Sequence, residues 1–281
     1  MEFRTIVDIP QPTFRIEPCE EMLFVGSCFA DHIGRRFVEE KFRATVNPFG
    51  VMYNPASILH TVQRTDDAPR VVFLTLGTNH VYRLKETGEI VDNCEKRPQS
   101  LFQEEKLTVD ECADYLGKAI DILRERRPDV QVVLTVSPIR YRKYGYHESQ
   151  LSKATLLMAV DKVTSTPSIP SSTSFPSFPS FPSSPSYFPA YEIVMDELRD
   201  YRFYAADMLH PSEQAVDYIW ERLSETYLSE AAKEFLREWH PIKNALHHKP
   251  FQPYSEEYKA FMDKTMLKVE ELKKKYPTFA L

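Results

Sequence analysis

The stretch Leu23-Phe24-Val25-Gly26-Ser27-Cys28-Phe29-Ala30 changes from a strand pattern to a helix pattern within one turn. The apolar run 22–25 is typical of a short buried strand, and a glycine closes that run in a tight turn. Apolar residues then recur four apart from 29 to 37, with charges between them, as on an amphipathic helix. The sequence therefore predicts a strand, a turn at Ser27 and a helix over 28–41.

Strands and helices continue to alternate through the first half of the chain. Residues 71–76 and 130–136 are predicted buried strands, and a hairpin follows the first of them, turning at Thr87-Gly88. Asn54-Pro55 is a good helix start, and Thr108-Val109-Asp110-Glu111 is a capping box that begins a longer helix. This alternation predicts a parallel α/β sheet, in which ligands bind beyond the carboxyl ends of the strands.

Residues 164–186 differ in composition from the rest of the chain. They are rich in Ser and Pro, carry no charge and contain Ser-Phe-Pro three times in succession at 174–182. Because proline excludes a helix or a central strand, we predict a low-complexity insertion. It is either a disordered loop or a polyproline segment that presents its Phe side chains to an aromatic-lined groove.

The chain after this insertion is predicted to be mainly helical. A helical stripe over 191–201 precedes a loop at 207–210, and Pro211 is predicted to open the next helix. From residue 228 onward we predict a helical tail, broken at 239–241 and at 247–253, with a last helix over 255–276. We divide the chain accordingly into an α/β domain, residues 1–227, and a helical extension, residues 228–281.

Composition limits the classes of function. The 281 residues are 42% hydrophobic, enough for one large core, and a net charge of −6 without a long basic run argues against nucleic-acid binding. No apolar run approaches the roughly 20 residues of a membrane helix and no signal sequence is visible, so we expect no membrane insertion and a cytoplasmic location. Cys and His spacings suggest no metal, and the absence of a glycine-rich phosphate loop suggests no cofactor. The sequence leaves the oligomeric state open.

Ser27 is a candidate nucleophile, because the head of a helix offers N–H groups and a positive dipole end to a developing oxyanion. A plain helix N-cap is the alternative. Asp207 and His210 favour catalysis, because an Asp-x-x-His segment lets a carboxylate orient the imidazole that takes the serine proton. The alternative for this pair is a turn residue and a helix cap.

Two other residues are candidates for an oxyanion hole. Asn79, in Gly77-Thr78-Asn79 after a predicted strand, carries an amide that can donate to an oxyanion, or it is an ordinary loop residue. Gly50, in Asn47-Pro48-Phe49-Gly50, offers a backbone N–H to the same oxyanion, or it only makes a turn.

Cys28 and His32 lie close to Ser27 in the sequence. Cys28 is a competing nucleophile, although its place one residue past Ser27 favours a small buried residue that points elsewhere. His32 follows one helical turn later, and it either approaches the site or lies on the helix surface.

The order of the candidates, Ser, Gly, Asn and then Asp-x-x-His, resembles that of the SGNH hydrolases. Gly26-Ser27-Cys28-Phe29-Ala30 is the name motif of the GSCFA family, a group similar to SGNH hydrolases. The resemblance extends over roughly residues 20–225. The other segments that resemble this family are 47–50, 53–55, 187–192, 200–204 and 207–212.

The resemblance implies a three-layer α/β/α sandwich with a flavodoxin-like parallel sheet. It also implies a catalytic site in which Ser27 is the nucleophile, His210 the base and Asp207 the acid that orients the base. Gly50 and Asn79, together with the Ser27 N–H, would form the oxyanion hole.

Two blocks depart from the usual SGNH pattern. Ser27 follows Gly26 directly where Gly-Asp-Ser is usual, and His80 stands where the third block usually has Asp. We therefore consider two functions. The first is a serine esterase or acyltransferase acting on an ester of a small molecule or carbohydrate, such as an O-acetyl sugar. The second is a binding or scaffold domain that keeps the fold without turnover.

Overall fold

The computed structural model describes residues 4–66, 68–92, 97–165 and 184–281. Residues 166–183, the greater part of the predicted low-complexity insertion, lie outside the described residues. The two flanks of the insertion belong to regular elements, because a helix extends to Ser165 and a short strand begins at Ser186.

A parallel five-stranded sheet forms the centre of the fold. Its strands, in chain order, are β1 (Glu21–Gly26), β2 (Arg43–Val46), β3 (Val71–Leu76), β7 (Gln131–Val136) and β8 (Ser186–Tyr187). The spatial order is β2-β1-β3-β7-β8, which is the flavodoxin-like order of a doubly wound sheet. The predicted parallel α/β sheet is therefore confirmed.

A small antiparallel sheet follows β3 in the chain. It contains β4 (His80–Leu84), β5 (Ile90–Val91) and β6 (Phe102–Lys106), in the order β5-β4-β6. β4 and β5 form the predicted hairpin, and Gly88 at its turn has a positive φ of 72°.

The main helices begin at side-chain caps. The predicted caps are confirmed: Asn54 Oδ1 accepts a hydrogen bond from the Ser57 N–H, and Thr108 and Glu111 form the capping box. The helices in chain order are α1 (Cys28–Glu39), α2 (Pro55–Arg64), α3 (Val109–Arg126), α4 (Tyr146–Ser165), the short α5 (Ala190–Glu192), α6 (Glu213–Tyr227), α7 (Glu230–His247) and α8 (Glu256–Lys275).

Helices cover both faces of the central sheet, which makes the predicted three layers. Alternate residues of β1 enter different cores: Met22 and Phe24 pack with α1, α6 and α7, whereas Leu23 and Val25 pack with α2, α3 and α4. Burial on both faces explains why the strands are continuous apolar runs in the sequence. The first core extends outward to Phe235 and Trp239 of α7 and to Val269 of α8, so the C-terminal helices pack on the α1–α6 layer.

The predicted helix break at 239–241 is wrong, because α7 continues through Pro241. Trp239 and Ile242 on either side of the proline are almost completely buried, and the Trp239 indole N–H donates to the Glu39 carbonyl. This packing outweighs the one helical hydrogen bond that proline removes. The predicted break at 247–253 is confirmed, since α7 ends at His247 and α8 begins at Glu256.

Two predictions near the Asp-x-x-His segment are also wrong. The stripe 191–201 is not one helix: α5 continues as a π turn, Ile193–Glu197, in which the Leu198 N–H donates to the Ile193 carbonyl. The helical path ends at Leu198, and Asp200 caps a separate short turn, Tyr201–Phe203, through the Arg202 N–H. Pro211 does not open α6, because it pairs with Tyr204 in an isolated bridge and Ser212 caps the helix.

Gly26 ends β1 in close contact with β3. Its φ is +143°, and a Cβ atom there would lie 2.1 Å from the Thr75 carbonyl oxygen of β3. Only glycine avoids this overlap, so the turn that presents Ser27 depends on the missing side chain.

We expect Gly26→Ala to lower the free energy of unfolding by about 2 kcal/mol or more, because either β3 or the turn must move. Gly117→Ala is the matched control. Gly117 lies within α3 and a Cβ there would meet nothing within 4 Å, so this change should raise stability by about 0.5–1 kcal/mol. Urea unfolding measures both, and equal stability of Gly26→Ala and the wild type would contradict the close-approach argument.

Candidate active site

A cavity of about 430 Å³ opens beyond the carboxyl ends of β1, β3 and β7. Its floor contains Ser27 after β1, Gly77 and Thr78 after β3 and Ser137 after β7, and His210 reaches it from the loop before α6. The sheet therefore gathers at one edge side chains that are far apart in the sequence.

Ser27 is both a helix cap and a residue of the cavity wall. Its Oγ accepts a hydrogen bond of 3.3 Å from the Phe29 N–H, and the residue is 1% exposed. Its own N–H donates to the Thr75 carbonyl at 3.1 Å, so this predicted oxyanion donor is already occupied. The cap and the catalytic interpretation are thus compatible, since one hydroxyl oxygen can cap α1 and face the cavity.

Asp207 and His210 form a pair within one short loop. Asp207 Oδ2 lies 2.5 Å from His210 Nδ1, and Asp207 Oδ1 accepts the N–H groups of His210 and Leu209 at 3.0 and 2.9 Å. The left-handed backbone of Met208, with φ of 59°, lets the loop curl around the carboxylate.

These contacts set the electrostatics of the pair. The two backbone N–H groups, and then the His210 side chain, hold the pKa of Asp207 well below its usual range. The carboxylate is therefore ionised and orients the imidazole, which leaves His210 Nε2 as the nitrogen that can face Ser27. Among the residues that the structure describes, no hydrogen bond joins Ser27 to His210.

The structure does not bring Gly50 and Asn79 to this cavity. The Gly50 N–H donates to the Asn47 carbonyl at 2.8 Å and closes a turn. The Asn79 amide nitrogen donates at 2.7 Å to the Leu107 carbonyl, so that side chain points towards the start of α3. Both donors implied by the resemblance are therefore engaged elsewhere.

Cys28 departs from its predicted environment. It is half-buried and lines the cavity, with its Sγ 3.6 Å from the Tyr53 hydroxyl, so the expectation of a buried side chain that points elsewhere is wrong. Burial raises the pKa of Tyr53 to about 12, so its hydroxyl is protonated beside the Cys28 sulfur. His32 is exposed on α1 and does not line the cavity.

Lys153 of α4 is a cavity residue that sequence reasoning missed. It is 2% exposed, and its Nζ donates to the carbonyls of Gly77 and Ser137 at 2.7 and 2.8 Å. It therefore joins the ends of β3 and β7. The sequence does carry a signal, since Lys153 is the single charged residue between 149 and 160.

Burial lowers the pKa of Lys153 to about 7. A neutral amine has two N–H donors, which matches the two carbonyls that it contacts. Among the described residues, the His, Cys, Asp and Glu side chains do not gather in any group of three that could hold a metal ion. No helix within those residues is both long enough and apolar enough to cross a membrane.

Two family models match the chain. The model described as "GSCFA family" matches residues 21–69 and 67–223, and the model described as "GSCFA domain protein, C-terminal domain" matches residues 239–281. The first match contains Ser27, Asp207 and His210 and every segment on which the sequence resemblance was based. No curated protein matches the chain in sequence.

Several solved structures are similar in their backbone. A provisionally named platelet activating factor from Streptococcus pneumonia has 15% identity and a TM-score of 0.48, covering 75% of this chain and 84% of its own. A provisionally named GDSL-like lipase from Parabacteroides merdae has 14% identity and a TM-score of 0.43, covering 76% and 98%. A Clostridium thermocellum family 3 carbohydrate esterase has 14% identity and a TM-score of 0.41, covering 78% and 98%.

The pKa of Lys153 predicts a pH dependence of stability. In the unfolded chain a lysine has its ordinary pKa near 10.5, so between pH 7 and 10 the unfolded state binds more protons than the folded state. The free energy of unfolding of the wild type should therefore rise with pH relative to that of Lys153→Met, by at most about 1.4 kcal/mol per pH unit.

Urea unfolding at a series of pH values measures this difference. Lys162→Met, which removes an exposed lysine from the same helix, is the matched control. A difference between wild type and Lys153→Met that is constant from pH 7 to 10 would contradict the lowered pKa.

Proposed function

Because the chain belongs to the GSCFA family, we propose that it is a serine hydrolase of ester bonds. In this proposal Ser27 is the nucleophile, His210 the general base and Asp207 its orienting acid. One observation carries it: Ser27 and His210 line the same cavity, while the ionised Asp207 holds His210 through Nδ1. Site loops before substrate binds are often too loose for the Ser–His hydrogen bond, which forms in the complex.

The proposed reaction has two stages. His210 Nε2 takes the Ser27 proton as Oγ attacks the carbonyl carbon, and the tetrahedral intermediate collapses to an acyl-enzyme as the alcohol leaves with that proton. Water then gives a proton to His210 and attacks the acyl carbon, which releases the acid and restores the Ser27 hydroxyl. An acceptor hydroxyl in place of water would make the same site an acyltransferase.

The oxyanion needs donors other than Gly50 and Asn79. The N-terminus of α1 directs its positive dipole end to the Ser27 side of the cavity. The protonated Tyr53 hydroxyl, next to Cys28 on the wall, is the second donor that we propose. Together they would stabilise charge on the carbonyl oxygen during attack.

The proposed substrate is a carbohydrate or other small molecule that carries an O-acyl group, such as acetyl. A cavity of about 430 Å³ suits a ligand of the size of one sugar ring. Tyr53 and Tyr141 line it, and aromatic rings pack well against the apolar faces of sugars. Both tyrosines also offer a hydroxyl to the hydroxyl groups of a sugar.

A fluorophosphonate probe tests the nucleophile. It should label the wild type at Ser27, and labelling should be lost in Ser27→Ala and His210→Ala but kept in Cys28→Ala. Ser255→Ala, which removes the N-cap of α8, is the matched control, because it and Ser27→Ala should both lose about 1 kcal/mol of stability. Absence of labelling, with no hydrolysis of short-chain aryl esters, would support the binding-domain alternative instead.

Asp207→Asn tests the orienting acid. Asparagine can still accept the two backbone N–H groups, but it loses the charge that holds the imidazole, so kcat should fall on the order of 10²- to 10⁴-fold with little change in KM. Asp200→Asn is the control, because Asp200 also caps a turn, through the Arg202 N–H, but lies off the cavity. Steady-state kinetics with an aryl acetate would contradict the role if both variants kept wild-type kcat.

A further inference from the structure

The wall of the proposed active site is strongly basic. Four basic residues line the cavity: Arg140, Arg142, Lys143 and Lys153. None of the described lining residues is Asp or Glu. The chain as a whole has a net charge of −6, so this concentration of positive charge is local. The three basic residues at the rim, Arg140, Arg142 and Lys143, are here called the basic strip.

The cations of the basic strip are only partly compensated. The Arg140 guanidinium lies over the rings of Tyr146 and Tyr204, 4.4 and 5.2 Å from their centroids. Within the described parts of the chain, no carboxylate lies within 4 Å of Arg140 or Arg142. Lys143 has one carboxylate nearby, because its Nζ lies 3.9 Å from a carboxylate oxygen of Glu104.

The remaining basic residue contributes less charge. Lys153 lies on the floor of the cavity, but its pKa of about 7 means that it is only partly protonated at neutral pH. Most of the positive charge of the cavity wall therefore lies in the basic strip.

A concave site lined by one sign of charge attracts ligands of the opposite sign, because the low-dielectric walls focus the field into the cavity. Guanidinium groups in addition match the planar, bidentate geometry of carboxylate and phosphate oxygens. An uncharged acetylated sugar would leave both guanidinium groups without an anionic partner. The basic strip thus indicates a substrate feature that the catalytic residues alone do not require.

We propose that the basic strip binds a negatively charged group on the ester substrate, a phosphate or a carboxylate a few bonds from the scissile acyl group. That the anion belongs to a substrate rests on the proposed esterase function, whereas the anion-binding site itself does not. The substrate class becomes an acylated sugar phosphate, an acylated sugar acid or an ester of a dicarboxylic acid.

Arg142 is the residue to change. Arg140 donates to the Met208 carbonyl at 3.2 Å, and its own backbone N–H bonds Leu209, so replacing it would disturb the loop of Asp207 and His210. Lys143 contacts the Tyr144 hydroxyl at 2.9 Å and would disturb the wall. Arg142 is exposed at the rim and carries none of these contacts. Arg142→Gln removes its charge, and Arg142→Lys keeps it.

Kinetics on matched esters form the first part of the experiment. The first series compares para-nitrophenyl acetate with mono-para-nitrophenyl succinate, which carries its charge on the acyl side. The second compares O-acetyl glucose with O-acetyl glucose phosphate and O-acetyl glucuronic acid, which carry their charge on the alcohol side. In the wild type, kcat/KM should favour one charged series. Arg142→Gln should lower that kcat/KM about 10-fold or more and change the neutral esters less than about 2-fold.

Two controls belong to the same measurement. Arg142→Lys should keep part of the preference, and Arg237→Gln, which removes an exposed arginine of α7, should change neither series. Added salt should reduce the preference for charged esters, because screening weakens an exposed charge pair. Equal kcat/KM for charged and neutral esters in the wild type, or a preference unchanged by Arg142→Gln, would overturn the proposal.

Binding to Ser27→Ala separates this proposal from the esterase function. Calorimetry should show that glucose phosphate binds Ser27→Ala more tightly than glucose, and that the added change Arg142→Gln removes the difference. Anion binding without turnover of any ester would leave the anion site standing and contradict the esterase. Turnover of neutral esters without anion binding would support the esterase function and contradict the anion site.

Discussion

The approach of Gly26 to the Thr75 carbonyl is the constraint on which the rest of the site depends. It sets β1 and β3 close enough for the Ser27 N–H to bond that same carbonyl, which directs the chain into α1 at once. Gly77 continues the contact on the other strand, because a Cβ there would lie 3.4 Å from Ser27 Cβ and 3.0 Å from the Tyr53 carbonyl. The absence of a side chain at both glycines therefore lets the ends of β1 and β3 and the Tyr53 backbone meet closely around Ser27.

Around this floor, each candidate group is held by contacts that serve structure as well as chemistry. Ser27 caps a helix, Asp207 closes its own loop, and Lys153 joins the ends of β3 and β7 through two carbonyls. A buried amine so placed links two strand ends at the sheet edge where Ser27 also lies. Arg142 of the basic strip differs from these groups, since its side chain is exposed at the rim and makes none of the structural contacts of Arg140 and Lys143.

Local patterns were sufficient where the physical cause is local. A few neighbouring residues are enough to predict the caps at Asn54 and Thr108, the turn at Gly88 and the apolar runs of β1, β3 and β7. The resemblance to the GSCFA family, which includes a five-residue motif, is confirmed. Local patterns failed where distant contacts decide the conformation. Pro241 stays inside α7 because Trp239 and Ile242 are buried on either side of it, and Pro211 pairs with Tyr204 in a bridge instead of opening α6.

By itself, the sequence determined the parallel α/β sheet, the turn that carries Ser27 and the loop that pairs Asp207 with His210, because each depends on spacing along the chain. Only the tertiary structure decided which groups share the cavity. It directs the Asn79 amide to the Leu107 carbonyl, and it brings Tyr53, Lys153 and the basic strip to the wall of the cavity that Ser27 lines. The physical reason is that each hydrogen-bonding group takes whichever partner lies nearest in space, and nearness in space between residues far apart in sequence is set by the packing of whole elements.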